Sequence, residues 1–187
     1  WEYRIFFIPN DPNSTLLLPN QAPHLDAPRN DRYYVHNADV GIKKRGGEIL
    51  EVKLRSKIDD KGFEKWTKWK INNFEELKTV LHKNGFSDSL MLSGDSLVFV
   101  SIGKKRRIGF RENMQIEETD LVIRCGRDGN DGDDGEDELW KTIAIEGRRS
   151  ACVEAKDLLM EKCRIHAANG DIRECGYAEF VSKIAAA

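Results

Sequence analysis

The sequence contains no apolar run near the ~18 residues that a bilayer-spanning helix needs, so we expect no transmembrane segment and no membrane partner. Its four histidines show no HxxxH or HExxH spacing and its four cysteines form no CxxC pair, which argues against a zinc site. Cys125, Cys152, Cys163 and Cys175 are interpreted as thiols rather than disulfides, which indicates an intracellular protein, cytoplasmic or organellar.

An initiator Met and a signal peptide are also absent, and the sequence begins at Trp1 within an expected strand. We interpret the sequence as a trimmed domain whose targeting segment would precede Trp1. Its 187 residues suit a single domain, 1–187, because domains usually have about 100–200 residues. A content of 40% hydrophobic and 33% charged residues is typical of a globular protein.

A large excess of charge of one sign is missing as well. The net charge is −2, which argues against a nucleic-acid partner. The charges are nevertheless segregated, with basic residues dense from Lys43 to Lys70 and acidic residues dense from Asp128 to Glu138. No register of the acidic segment places Asp or Asn at positions 1, 3 and 5 and Gly at position 6, as an EF-hand requires. We therefore interpret it as a solvated hairpin loop.

The residue patterns predict more strands than helices. Strands are predicted over Trp1–Pro9, Asp31–His36, Val40–Arg45, Ile49–Lys57, Leu97–Phe110, Asp120–Cys125 and Leu139–Glu146. Helices are predicted over Asn73–Lys83 with an Asn cap, from a Ser150 cap onward, and over Tyr177–Ile184. Without repeats or heptads, this order predicts an antiparallel α+β domain.

Several predicted strands carry charged residues along one face, because residues i and i+2 of a strand point to the same side. The charged sets are Lys43 with Arg45, then Glu51 with Lys53 and Arg55, then Lys105 with Arg107. A half-buried sheet with its charged face toward water produces the same alternation, and this is its commonest cause. Repeated like charges cost stability, however, unless an anion compensates them. We therefore favour an anion-binding face.

The segment KWTKWK, Lys65–Lys70, has two interpretations. Trp66 and Trp69 could stack on a nucleotide or another aromatic ligand. Packing of the two indole rings within an ordinary strand is the commoner case, and we favour it.

Six segments then match, in order, the motifs of one superfamily: WEYRIFFIP, NDRYY, IKKRGGEILEVK, KKRR, IAIEG and GYAEFV. They resemble the ExExK strand, the RDTYYDT segment, the LRxR–turn–ELK block, the later basic strand, the EIE strand and the SYSELL helix of the CYTH, or triphosphate tunnel metalloenzyme, superfamily. That superfamily includes thiamine triphosphatases and inorganic triphosphatases. The match leaves open which residues of KKRR face inward. It departs from the family at Ala144, which replaces a Glu, at Val35, which replaces an Asp, and at Lys43, which replaces an Arg.

The resemblance implies a closed antiparallel eight-stranded β-barrel, or tunnel, with flanking helices. Inside it, the implied phosphate-binding residues are Arg4, Lys43, Arg45, Lys53, Arg55, Lys105, Arg107 and Arg124. Glu2, Glu51 and Glu146 would bind Mg²⁺ or Mn²⁺, with Asp120 a further candidate. Glu51 and Lys53 would be the catalytic residues, in a reaction that needs mainly positioning and charge neutralisation.

On this basis we expect a monomeric, metal-dependent triphosphatase that hydrolyses inorganic triphosphate, thiamine triphosphate or a nucleoside triphosphate. The alternative is a catalytically silent module that binds polyphosphate or another phosphorylated ligand, because Ala144 removes one carboxylate from the implied metal site. A third hypothesis is an interaction domain that acts through the acidic segment Asp128–Glu138.

Overall fold

A computed structural model describes residues 1–16, 23–46, 49–86, 98–111, 113–126 and 137–186. Its strands in this part of the chain are β1 (Glu2–Pro9), β2 (His24–Leu25), β3 (Arg29–Asn37), β4 (Val40–Arg45), β5 (Ile49–Ile58), β6 (Glu64–Ile71), β7 (Phe99–Arg111), β8 (Met114–Gly126), β9 (Glu138–Gly147) and β10 (Ala167–Glu174). Its helices are α1 (Phe74–Lys83), α2 (Arg149–His166) and α3 (Tyr177–Ala185). The α+β expectation is confirmed at this coarse level.

Antiparallel pairing closes eight of the strands into a barrel-like ring in the order β1-β6-β5-β4-β3-β7-β8-β9. The ring returns to β1 through β9, with a register that runs from Glu2↔Glu146 to Phe7↔Lys141. The pairing between β1 and β6 is much shorter, since its register consists of the single residue pair Glu2↔Glu64. Outside the ring, β10 pairs with β1 and β2 pairs with β7.

Two helices cover the outside of the ring. Tyr3, Ile5 and Phe7 alternate along β1 and pack with Cys163 and other residues of α2. On the other side, the apolar face of β5 packs with Leu77 and Leu81 of α1. The apolar residues that alternate along β1 and β5 are therefore buried beneath α2 and α1 on the outside of the ring.

The third helix lies within the ring and fills one end of it. Phe180 of α3 stacks on Phe6, with ring centroids 3.9 Å apart, and meets Trp140 edge-on at 5.1 Å. Val100 and Ile102 of β7 belong to the same buried cluster. The inner faces of the strands are thus apolar where they meet α3.

The helix caps differ in how well the sequence predicted them. Asn73 caps α1 as predicted, because its side chain accepts a hydrogen bond from the Glu76 amide at 2.9 Å. Ser150 does not cap α2: the helix begins at Arg149, and its N-cap is Arg148, which makes no side-chain capping bond. Position 150 therefore lies within the first turn of the helix.

Three strands differ from the prediction, and the first is β2, a two-residue strand (His24–Leu25) in a segment where no strand was predicted. The strand expected over Asp120–Cys125 is the second half of β8, which begins at Met114. β10 was not predicted, because its sequence, AANGDIRE, shows no alternation and its placement depends on pairing with β1. The acidic segment lies outside the described residues as far as position 136.

Cys152, Cys163 and Cys175 are free, buried thiols. Burial raises the pKa of Cys163 and that of Cys175 to about 12, so both stay protonated near neutral pH.

No helix in the described part of the chain is long and apolar enough to cross a membrane.

Candidate functional site

The charged inner faces of the strands surround a cavity of about 420 Å³ next to α3. Among the described residues, its basic lining residues are Arg4, Arg29, Lys43, Arg45, Lys53, Lys65, Lys68, Lys104 and Arg106. Its acidic lining residues are Glu2, Glu51, Glu64, Glu117 and Glu146. Positive charge therefore exceeds negative charge around the cavity, which favours anionic ligands.

The buried carboxylate of Asp31 is shared among three cations. Its oxygens lie 3.2 Å from Arg29 Nε, 3.4 Å from Lys43 Nζ and 3.4 Å from Lys104 Nζ. The Asp31 side chain is fully buried, and its pKa is below the ordinary value because these cations outweigh the effect of burial. One negative charge thus faces three positive ones.

The carboxylate of Glu51 is shared in the same way. Lys68 Nζ lies 2.8 Å from it, Lys43 Nζ 3.4 Å and Arg45 Nη1 3.7 Å. Lys43 is common to both clusters, so Asp31 and Glu51 together compensate five cations. We call this side of the cavity, made by Arg29, Asp31, Lys43, Arg45, Glu51, Lys68 and Lys104, the basic wall.

Two amines of the basic wall, those of Lys104 and Lys43, have a pKa below the ordinary lysine value. Burial lowers the pKa of Lys104 well below its ordinary value, and the nearby positive charge of Lys43 lowers it further, against the opposing effect of Asp31. Burial also lowers the pKa of Lys43, although Asp31 and Glu51 oppose this. The repulsion between these like charges is unfavourable, and a bound anion would reduce it.

Carboxylates lie together on the opposite side of the cavity. Glu2 of β1 pairs in register with Glu146 of β9, and Glu117 of β8 lies opposite Ala144 of β9. Burial would raise the pKa of Glu2, but Lys53 and Arg4 outweigh it and lower the pKa to about 2. We call Glu2, Glu117 and Glu146 the acidic wall.

Glu117 behaves like Glu2. Burial would raise its pKa, but Arg4 and Arg106 lower it to about 2. Arg4 donates to both carboxylates, with 3.1 Å between Nε and Glu2 Oε1 and 3.2 Å between Nη1 and Glu117 Oε1. Both acidic groups are therefore ionised and held by a buried guanidinium.

The residues implied as metal ligands lie on two different walls. Glu2 and Glu146 are neighbours on the acidic wall, whereas Glu51 lies on the basic wall against Lys43 and Lys68. Within the described ranges, no group of three or more His, Cys, Asp or Glu side chains is placed to hold a metal ion.

Four of the implied phosphate-binding residues line the cavity together: Arg4, Lys43, Arg45 and Lys53. On β7, the structure places Lys104 and Arg106 in the lining instead of Lys105 and Arg107. The reason is that Val100 and Ile102 face α3 inside the ring, and strand alternation continues that inner face through positions 104 and 106.

The outer face of β7 carries the other two residues. Lys105 is exposed. Arg107 donates to Glu118 at 3.0 Å and to Asp120 at 2.8 Å, and Lys141 also contacts Asp120, at 2.5 Å. Asp120, the further metal candidate, therefore lies in an ion cluster outside the cavity.

The remaining implied residues lie away from the cavity lining. Arg55 contacts Glu64 at 2.6 Å and Asp39 at 2.8 Å. Arg124 pairs with Asp137 at 2.5 Å, and its side chain is 58% exposed.

The two tryptophans of KWTKWK have different environments. Trp69 packs against the cluster beneath α1, as predicted. Trp66 lines the cavity, and its Nε1 donates to Glu64 at 2.9 Å.

The lining residues that the sequence reasoning missed include Arg29, Lys104, Glu117 and Tyr177. Alternation along Gln115, Glu117 and Thr119 could have revealed Glu117, had the strand been extended to Met114. Tyr177 belongs to the matched segment GYAEFV, but its place in the cavity lining depends on the position of α3 inside the ring and could not be predicted from that match.

In comparisons with known proteins, no family model matches this chain, and no curated protein is significantly similar to it.

Proposed function

We propose that this protein binds a compact polyphosphate, such as inorganic triphosphate or an organic triphosphate, in the cavity between the basic and acidic walls. The observation that supports the proposal is the sharing of two buried carboxylates, Asp31 and Glu51, among five cations. Each added like charge in such a cluster is unfavourable, so a ligand with several negative charges stabilises the arrangement.

The chemistry of the lining suits phosphoryl groups. Arg29 and Arg45 offer planar guanidinium groups that bind phosphoryl oxygens through two hydrogen bonds, while Lys43, Lys68 and Lys104 act as point charges. A volume of about 420 Å³ is within the range of small-molecule sites and holds a short phosphate chain.

The test is calorimetric binding of inorganic triphosphate at low and high salt. We expect binding that weakens with added salt. Arg45→Gln should weaken it about tenfold, as expected for loss of a charge-assisted hydrogen bond. The matched control is Lys44→Gln, one position along β4 and on the opposite face. No binding of triphosphate by the wild-type chain, or equal losses in the two variants, would contradict the proposal.

Hydrolysis of the bound triphosphate with Mg²⁺ or Mn²⁺ is the second candidate. It is favoured by the cross-strand pairing of Glu2 with Glu146 and by Glu117 opposite Ala144, where the resembling family carries a carboxylate. It ranks second because Arg4 and Lys53 hold Glu2, and Arg4 and Arg106 hold Glu117, so these groups as arranged do not form a metal centre.

Phosphate release from triphosphate with each metal distinguishes the two candidates. If the protein is a hydrolase, Glu146→Gln abolishes release while metal-free binding of triphosphate persists. Glu75→Gln, on the exposed side of α1, is the control and keeps full activity. Binding without release in the wild-type chain identifies a receptor instead.

A further inference from the structure

We infer that the inner end of the cavity is a subsite for one phosphoryl group, the terminal group of the ligand, formed by Arg4, Lys104 and the hydroxyl of Tyr177. This inference rests on the proposed function, and it specifies which end of the phosphate chain enters first and which residue recognises it.

The exposure of the basic side chains defines an inner and an outer part of the cavity. Lys104 and Arg4 are 4% and 7% exposed, whereas Arg45 and Lys68 are 34% and 39% exposed. Since α3 fills the end of the ring beside Lys104 and Arg4, a ligand reaches these two residues last.

Tyr177, the first residue of α3, contacts both inner cations through its ring. Arg4 Cζ is 4.5 Å and Lys104 Nζ 3.8 Å from the centroid of its ring. Tyr33 stacks on the same ring at 5.3 Å, and its hydroxyl accepts a hydrogen bond from Lys104 at 2.6 Å. These contacts fix the Tyr177 ring in place, so its hydroxyl points to a defined position.

The hydroxyl of Tyr177 is buried and has no hydrogen-bond partner in the described part of the protein. Burial raises its pKa above the ordinary tyrosine value, so it remains a protonated donor at neutral pH. A buried donor without an acceptor is unfavourable, and native proteins seldom keep one without a reason. A ligand oxygen would satisfy it.

A terminal phosphoryl group supplies what these residues require. Its oxygens are acceptors that carry negative charge, so they can accept from the Tyr177 hydroxyl and from the two inner cations. A ligand with a neutral or cationic end would leave the repulsion between Lys104 and Arg4 uncompensated and the Tyr177 hydroxyl without an acceptor. The inner end therefore selects a phosphate terminus over an organic one.

Tyr177→Phe is the first test, because it removes the hydroxyl and keeps the ring. It should weaken binding of inorganic triphosphate about tenfold or more, as expected for loss of a hydrogen bond to a charged group. It should also raise the unfolding temperature of the ligand-free protein, since it removes an unpaired buried hydroxyl. A merely structural role for the hydroxyl would lower that temperature.

Tyr34→Phe is the matched control. Tyr34 lies next to Tyr33 on β3 but on the other face, where its ring meets Phe74 of α1 at 6.0 Å. Its substitution should leave the affinity for triphosphate unchanged.

A second test compares pyrophosphate with triphosphate. If the terminal phosphoryl group occupies the inner subsite, Tyr177→Phe weakens both ligands by the same factor. Lys68→Gln, in the outer part, should weaken triphosphate more than pyrophosphate, because the shorter chain does not extend as far toward Lys68.

The outcomes separate this inference from the proposed function. No triphosphate binding by the wild-type chain refutes both. Normal wild-type binding with an unchanged affinity in Tyr177→Phe, or a larger effect of that variant on triphosphate than on pyrophosphate, refutes the inner subsite and leaves the proposed function intact.

Discussion

Lys53 Nζ lies 3.0 Å from Glu2 Oε2, and this ion pair joins β5 to β1 across the inside of the ring. The strand between them, β6, is paired with β1 at a single position, Glu2↔Glu64. The ion pair therefore stabilises the ring where the backbone pairing between neighbouring strands, β1 and β6, is shortest. Charges that line the cavity thus stabilise the ring as well as shape its ligand preference.

Acid should destabilise the protein through the acidic wall. The pKa of Glu2 and that of Glu117 are lowered to about 2, so each carboxylate stabilises the fold above its unfolded pKa near 4.5 and loses this effect as the pH falls toward 2. Each shift corresponds to on the order of 3 kcal/mol. Urea unfolding between pH 7 and pH 2 should show the loss, and Glu2→Gln should be less stable than wild type at pH 7 and approach it at low pH. Glu75→Gln, whose side chain is 82% exposed, should keep the wild-type profile.

Binding of triphosphate should be accompanied by proton uptake at Lys104. The groups that face its amine are Asp31 and Tyr33 of β3, Lys43 of β4, Arg4 of β1, Glu117 of β8 and Tyr177 of α3. Its pKa is lowered in the free protein, and a bound polyanion raises it, so protons are taken up at pH values between the free and bound pKa.

Calorimetry in two buffers of different ionisation enthalpy measures this uptake. Lys104→Arg keeps the positive charge but cannot titrate, so it should bind triphosphate with fewer protons taken up than wild type. Lys43, whose pKa is also lowered, accounts for the uptake that remains. Equal uptake in wild type and Lys104→Arg would rule out this role for Lys104.

The local patterns of the sequence predicted much of the fold. Period-two alternation identified most strands, and the structure places Glu51 and Lys53 on one face of β5, toward the cavity, as that alternation predicted. The cap at Asn73 was also predictable, because it depends on a side chain and a backbone amide three residues away.

Features set by tertiary placement could not be predicted in this way. On β7 the apolar Val100 and Ile102 share the inner face with Lys104, because α3 occupies one end of the ring and leaves a cavity at the other. Alternation alone assigned the apolar face to the core and thus selected Lys105 and Arg107 as the binding pair. The position of α3 inside the ring is needed to assign the faces correctly.

The two faces of β7 give a direct comparison. Arg106→Gln should weaken triphosphate binding about tenfold and reduce its dependence on salt, since Arg106 lines the cavity beside Glu117. Lys105→Gln removes the same charge one residue away, on the exposed face, and should leave binding unchanged. Titration of both variants with triphosphate at two salt concentrations checks this, and a larger effect at Lys105 would contradict the assigned faces.

The entry of α3 into the ring depends on a close approach at Gly176, the residue before the helix. A Cβ atom at this position would overlap Glu64 Oε2 and lie 3.1 Å from the Trp66 ring. Glu64 cannot easily move, because it also binds Arg55 at 2.6 Å. Gly176→Ala should therefore lower the free energy of unfolding by about 1–3 kcal/mol, as overpacking of a filled site does. Gly41→Ala is the control, because a Cβ atom at position 41 would make only an ordinary contact, 3.7 Å from its nearest neighbour. Urea unfolding measures both variants. An equal loss of unfolding free energy in the two would disprove the tight fit at Gly176.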